Sequence, residues 1–377
     1  MNKLFRKITN DLHLWLGLAS GIVLFVVCLS GTIYTFHKEA NEFFNKEKYN
    51  VTAVGQPLAI DSLINKLQTG KTKVTAVTVY DNAEKSWLFT VKNISKKKQE
   101  GGKDRGKQIL VNPYTGEQLG TTESKTNDFF VTMMKLHRWL LMEQKTGRIV
   151  VGIATIIFVF MLLSGLILWI PKKIKKWRNW KSGLKIKFSG RWKRINHDLH
   201  NTLGFYSFIL LLIMGLTGLC WSFVWYKDGL SNMLGAKVFA GRGEKAPESA
   251  LIKNAATISI ADAISRANKE LPGKGNITIN LPTDSTGSYA INKTKTGFAA
   301  LSVPDKIVID QYSGAILKKE KFADKSFGEK IAGSIRPLHT GEIFGLFSKI
   351  IYFIACLIAT SLPVTGTIIW INKMKKK

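Results

Sequence analysis

DLHLWLGLASGIVLFVVCLSGTIYTF (residues 11–36) opens on a histidine-centred phrase and then runs apolar to its end. In the second half of the chain the same plan returns as DLHNTLGFYSFILLLIMGLTGLCWSF (residues 198–223). Each run approaches the roughly 20 apolar residues needed to cross a hydrocarbon layer about 30 Å thick. Two further runs qualify, so four spans are predicted. The chain divides into an amino terminus with the first span (1–36), a first extramembrane domain (37–147), a second span (148–170) and a basic loop (171–201). A third span (202–225), a second extramembrane domain (226–345), a fourth span (346–371) and a basic tail (372–377) complete it.

The formal net charge of +29 invites a nucleic-acid partner, but the placement of the charge points elsewhere. The loop PKKIKKWRNWKSGLKIKFSGRWKR carries eleven Lys or Arg residues, and the termini MNKLFRK and NKMKKK add seven. Lys and Arg in short segments orient helices, so both termini and this loop are expected inside a bacterial cytoplasmic membrane and both long domains outside. The charge then serves topology and lipid headgroups, with no nucleic-acid partner, because no recognition fold accompanies it. The first apolar run exceeds a 7 to 15 residue signal core and lacks a small-residue cleavage site, so it is expected to remain as an anchor. Cys28, Cys220 and Cys356 all fall within spans and read as small hydrophobes. LPVTG (residues 362–366) imitates a cell-wall sorting signal but lies inside the fourth span, and is a chance match.

The halves correspond beyond their first spans. Each extramembrane domain shows a helical stretch (IDSLINKL; IADAISRA), two alternating strands (VTAVTVY and SWLFTVK; ITINLP and SYAINK) and a hairpin (ILVNPYTGEQLG; IVIDQYSGAILK). The glycine of each hairpin supplies the positive φ of a tight turn. One helix on a small antiparallel sheet is the predicted unit, made twice, with ISKKKQEGGKDRGK as a mobile hairpin tip. The fold class is an α-helical membrane protein with a four-helix core from an internal duplication and two extracytoplasmic α+β domains. Ser164, Gly165, Thr365 and Gly366 are expected to permit close helix contact, and Trp169 and Trp370 to sit at the inner interface.

Four of the six histidines occupy equivalent places. His13 and His200 fall at the inner ends of spans one and three; His137 (KLHRWLL) and His339 (RPLHTGEIF) fall just outside spans two and four. Packed about an axis along the membrane normal, each pair faces itself, giving an inner and an outer couple. Two imidazoles from different helices are the usual protein share of a six-coordinate haem in a bundle, whereas zinc would want four ligands, often cysteine or carboxylate. His13 and His37 lie 24 residues apart, about 36 Å along a helix, so two haems stacked through the bundle would form a transmembrane electron wire. His37 is either a substitute outer ligand or a polar boundary residue, since its counterpart is Val224; His197, three residues before His200, is an alternative to it. Arg138 and Arg336 are candidates for propionate contact or for headgroup contact.

With DLHLWLG, LHRWLL, DLHNTLG and LHTGEIFG, SGLILWIP and the paired PYTG and QYSG hairpins, the chain resembles the PepSY-associated transmembrane helix family along nearly its whole length. That family includes iron-regulated inner-membrane proteins and ferrisiderophore reductases. The resemblance implies outward PepSY-type domains and, as in the reductase members, b-type haem passing electrons to ferric siderophore, with His13, His137, His200 and His339 at the axial-ligand positions. No GxGxxG fingerprint appears, so a quinol or a partner reductase is the expected donor. Two rivals stand beside this reading. One is a non-redox iron-chelate permease, which would need polar residues through the middle of the spans. The other is a scaffold or protease regulator built on PepSY-type domains.

Overall fold

The computed structural model describes residues 3–93, 106–172, 175–240, 245–251 and 255–375. In chain order the main elements are α1 (Lys3–Tyr34), α2 (Ile60–Leu67), β1 (Thr72–Val79), β2 (Trp87–Asn93), β3 (Lys107–Val111), β4 (Gln118–Thr121), α3 (Lys125–Trp139) and α4 (Gln144–Trp169). Then come α5 (Trp192–Ser222), α6 (Ile260–Glu270), β5 (Gly275–Asn280), β6 (Ser288–Lys295), β7 (Asp305–Asp310), β8 (Ile316–Glu320), α7 (Phe327–Thr340) and α8 (Gly345–Met374). They form two compact units. One comprises residues 1–37, 129–238 and 334–377, the other residues 38–128 and 239–333.

The first unit is a four-helix membrane bundle of α1, α4, α5 and α8, each long and apolar enough to cross a bilayer. Neighbours run α8–α1–α4–α5–α8, a closed ring. Its polarity is inverted relative to a water-soluble bundle. In α1 the buried residues are Thr9, Ser20, Leu24, Ser30 and Thr32, whereas Trp15 and Ile22 are 64% and 82% exposed. Lipid is as apolar as leucine, so nothing drives large side chains inward and small ones let the backbones approach. The hydroxyls are satisfied within their own helices: Ser20 donates to Leu16 O, Ser30 to Val26 O and Thr32 to Cys28 O.

The spans differ from the predicted ones at their ends. α1 starts at Lys3, because KLFRKITND contains no proline or glycine to stop a helix that has left the apolar layer. α5 likewise begins at Trp192, and passes through a π-helical turn at Leu199–Leu203. It stops at Ser222, short of the predicted end, because Phe223 is extended and a separate helix, Val224–Leu234, follows. A buried charge also lies in α8: Lys349, 3% exposed, pairs with Glu342 at 3.5 Å and lies over the Phe36 ring. The LPVTG segment is helical and part of α8.

In the second unit all eight strands join one antiparallel sheet, in the order β4-β3-β2-β1-β5-β6-β7-β8. The prediction of a small sheet per half is thereby corrected, since β1 and β5 pair across the seam, from Ala76 opposite Asn280 to Val79 opposite Ile277. α2 and α6 cover one face. Leu63 and Ile64 from α2, Ala263 and Ala267 from α6, and Val77, Phe89, Ile279, Ile291, Ile307 and Ile309 from the strands make a single core. Most of the predicted tip at 94–107 lies outside the described residues; Gly106 and Lys107 lead into β3.

The two hairpins are built alike. Asn112 Oδ1 accepts from the backbone N–H of Tyr114, and Asp310 Oδ1 from those of Tyr312 and Ser313. Gly116 and Gly314 take φ of 74° and 69°, and the tyrosine hydroxyls donate to Ala83 O and Ser285 O. Asp310, 2% exposed, also accepts from Ala250 N–H. Its burial would raise its pKa, but the backbone and hydroxyl donors around it prevail and hold it below the ordinary carboxylate value. Asp310→Ala is therefore expected to destabilise the sheet unit by about 1–3 kcal/mol through orphaned donors, and Asp310→Asn, which keeps an acceptor, by less. With its folded pKa lowered, the Asp310 contribution is full above about pH 4 and fades as pH falls through the folded value. Thermal melts of the full chain in detergent at several pH values, followed by circular dichroism, read both effects.

Candidate cofactor site at two histidine pairs

The bundle brings together the four histidines predicted from the sequence, and in the predicted pairs. His13 on α1 faces His200 on α5 with ring centres 6.4 Å apart and planes at 88°. His137 on α3 faces His339 on α7 at 6.1 Å and 51°. One metal with a bond of about 2.0–2.1 Å to each imidazole, plus about 1 Å from each nitrogen to its ring centre, sets ring centres about 6 Å apart. The spacing suits a single ion held between two rings.

Each histidine is locked the same way from behind. His137 Nδ1 meets Val27 O at 2.8 Å and His339 Nδ1 meets Met214 O at 3.0 Å. A carbonyl only accepts, so these neutral rings carry the proton on Nδ1 and leave the Nε2 lone pair for a metal. His13 Nδ1 is 2.8 Å from Ser164 Oγ and His200 Nδ1 is 2.9 Å from Thr365 Oγ1. Both hydroxyls already donate to their own helices, to Phe160 O and Ser361 O, and so accept from the imidazoles. This outer hydrogen bond fixes the tautomer and orients a metal-ligating histidine.

A glycine makes each approach feasible. A Cβ on Gly31 would lie 2.9 Å from the His137 ring, and on Gly218, Gly165 and Gly366 it would lie 3.1, 3.3 and 3.2 Å from His339, His13 and His200. Every one of these glycines follows a serine or threonine: Ser30, Thr217, Ser164 and Thr365. Ser164–Gly165 and Thr365–Gly366, read from sequence as helix contacts, are histidine cradles. Ser30–Gly31 and Thr217–Gly218 are cradles the sequence reading quoted without assigning a role; their recurrence at matched places in the first and third spans was the available signal.

His13 and His200 border a cavity of about 960 Å³ among all four spans, with Gly17, Gly21 and Gly204 opening its walls and Leu14, Phe158, Phe205 and Phe208 making them apolar. That is the size and character of a cofactor pocket. Basic residues at the bundle end bearing both chain termini complete its lining. A flat apolar group with a central metal fits this donor set and shape. Among the described residues no three His, Cys, Asp or Glu side chains converge, so no zinc-type cluster is formed by them.

The other predicted residues make contacts of their own. His37 stacks on Tyr34, with centres at 4.0 Å, and its Nδ1 meets Tyr34 O at 2.9 Å. It begins a short helix, His37–Phe44, after α1 and is not brought to the His137–His339 pair. His197 reaches the cavity lining, but its Nδ1 lies 3.6 Å from Asp198, and His200 is the ring opposite His13. The Arg138 guanidinium lies over Trp139 at 5.1 Å, and Arg336 O accepts from Thr340. Trp221, 5.1 Å from the His339 ring, is a neighbour the sequence reading did not single out.

These features define an integral membrane protein whose spans cradle two histidine couples. The chain belongs to the PepSY-associated TM region family, whose model matches residues 11–373. No curated protein matches it in sequence.

If the glycines serve the rings, Gly31→Ala and Gly218→Ala should each lower stability by about 1–3 kcal/mol through overpacking against imidazole. Gly333→Ala, where a Cβ meets open space, should leave the melting midpoint in detergent unchanged.

Proposed function

We propose that this chain is a haem-dependent ferric-chelate reductase of a bacterial inner membrane, with haem b at each histidine pair, serving iron uptake. The observation that carries the reading is the pair of facing imidazole couples, each at the spacing of two-sided ligation and each with Nδ1 held from behind. Bound haem would supply one-electron chemistry at its iron. His13 and His200 would hold one group, His137 and His339 the other.

The rest of the bundle suits electron passage. Gly31, which receives His137, lies eighteen residues beyond His13 on α1, about 27 Å along the helix. Between these levels Leu162, Leu211, Ala355 and Ala359, with Phe158, Phe208 and Met214, form an apolar cluster. Such a plug excludes water and ions while leaving electrons a path. We read the basic termini and loop as cytoplasmic, the sheet unit as a pair of PepSY-type domains outside, and both units as products of duplication; the symmetric strand order about the β1–β5 seam supports the last point. The substrate would be a ferric siderophore or similar chelate. Gaining one electron turns its iron ferrous, and hard oxygen donors hold that ion less firmly. A quinol or partner reductase would supply the electron.

Purified chain should show two haems, with α and β bands that sharpen on dithionite. His13→Ala or His200→Ala should remove one haem, and so should His137→Ala or His339→Ala. Each of the four should abolish ferric-chelate reduction across a proteoliposome membrane. Full reduction by the His13→Ala and His137→Ala chains would refute the assignment.

A further inference from the structure

The cavity beside His13 and His200 has a charged rim that neither ligation nor packing explains. Lys3, Arg6 and Lys7 from the start of α1, Lys172 just after α4 and Lys373 near the end of α8 all line it, and no Asp or Glu does. Arg6 donates to Leu168 O and Ile170 O at 2.6 and 2.8 Å, so its charge sits on the carboxyl end of α4. The four lysines have no ion-pair partner among the described residues. A topogenic role requires positive charge near this end of the bundle. It does not require that three separate segments aim theirs at one opening, where like charges repel unless an anion sits among them.

We propose that Lys3, Lys7, Lys172 and Lys373, with Arg6, form a carboxylate-binding rim that takes the acid side chains of the cofactor held by His13 and His200. The inference rests on the haem reading above and adds an orientation: the acid edge faces the chain termini and the apolar edge faces the Leu162–Leu211 cluster. The walls match, since apolar residues and glycines surround the deep part of the cavity and cations only its mouth. Charge-assisted bonds to carboxylate at a half-shielded site are among the stronger polar contacts a protein makes. The same anionic-oxygen chemistry could be met by a lipid phosphate, and the test separates the two.

The full chain in a His137→Ala background, where only the pair of interest reports, is loaded with haem b or with its dimethyl ester. Loss to a haem scavenger is then timed in detergent. Haem is expected to leave roughly tenfold or more slowly than the ester. In a Lys3→Gln, Lys7→Gln, Lys373→Gln chain that ratio should collapse toward one. Equal retention of haem and ester by the unsubstituted rim would overturn the proposal, as would a ratio that survives the triple substitution. A rim substitution that changes only binding to vesicles of anionic phospholipid, with the haem-to-ester ratio unmoved, would assign the lysines to lipid and overturn it as well. If neither molecule gives a two-imidazole spectrum in the unsubstituted chain, the haem reading itself falls, an outcome distinct from failure of the rim alone.

Discussion

The hydrogen bond behind each imidazole is the interaction on which the membrane unit depends. A histidine in a low-dielectric bundle has two nitrogens to satisfy, and an unmet polar group there costs several kcal/mol. Met214 O and Val27 O, or the hydroxyls of Ser164 and Thr365, take the Nδ1 proton. Nε2 is then the nitrogen each ring would use in the proposed ligation.

The glycines follow from that hydrogen bond. For Nδ1 to reach a helix carbonyl from outside, the ring edge must lie against the backbone, and any side chain at that point would hold it off. Gly31 and Gly218 show the constraint most clearly, with projected Cβ distances of 2.9 and 3.1 Å to the rings. The hydroxyl residue before each glycine bonds back into its own helix, as Thr217 does to Ile213 O and Ser30 to Val26 O, so it adds polarity at the ring without leaving a group unmet. Small residues that bring transmembrane helices together are here used to bring a side chain to a helix.

Much of this was legible in the chain itself, for definite reasons. Apolar runs long enough for a bilayer declare spans without any tertiary information, and the recurrence of DLH and LH at matched places paired the histidines before any distance was known. What escaped was what depends on approach in three dimensions. The spacing of Ser30–Gly31 looks like ordinary helix packing until a ring from α3 is seen against it. The joining of β1 to β5 is a non-local pairing that no local pattern encodes, since strands at a seam alternate just as edge strands do. Lys3, Lys7 and Lys373 were read as topology signals because sequence position records proximity to the membrane but not which cavity a side chain lines.

The corresponding segments of the two halves also differ near the histidine pairs. His13 sits in regular α-helix, whereas His200 lies in a π-turn, a feature that inserts a residue and commonly persists where it re-aims a side chain. Asp198 beside it is buried and held by Arg194 and Lys187 N–H, anchoring the basic loop to the turn; Asp11, its counterpart, is exposed. Toward the other pair, Tyr34 turns to stack on His37 while its counterpart Trp221 lies against His339. On the proposed electron-transfer reading, a symmetric wire would have no need of such differences. One that must accept electrons from one kind of donor and deliver them to another needs its two couples in unlike surroundings, because the polarity and contacts around ligating rings set what a bound metal does.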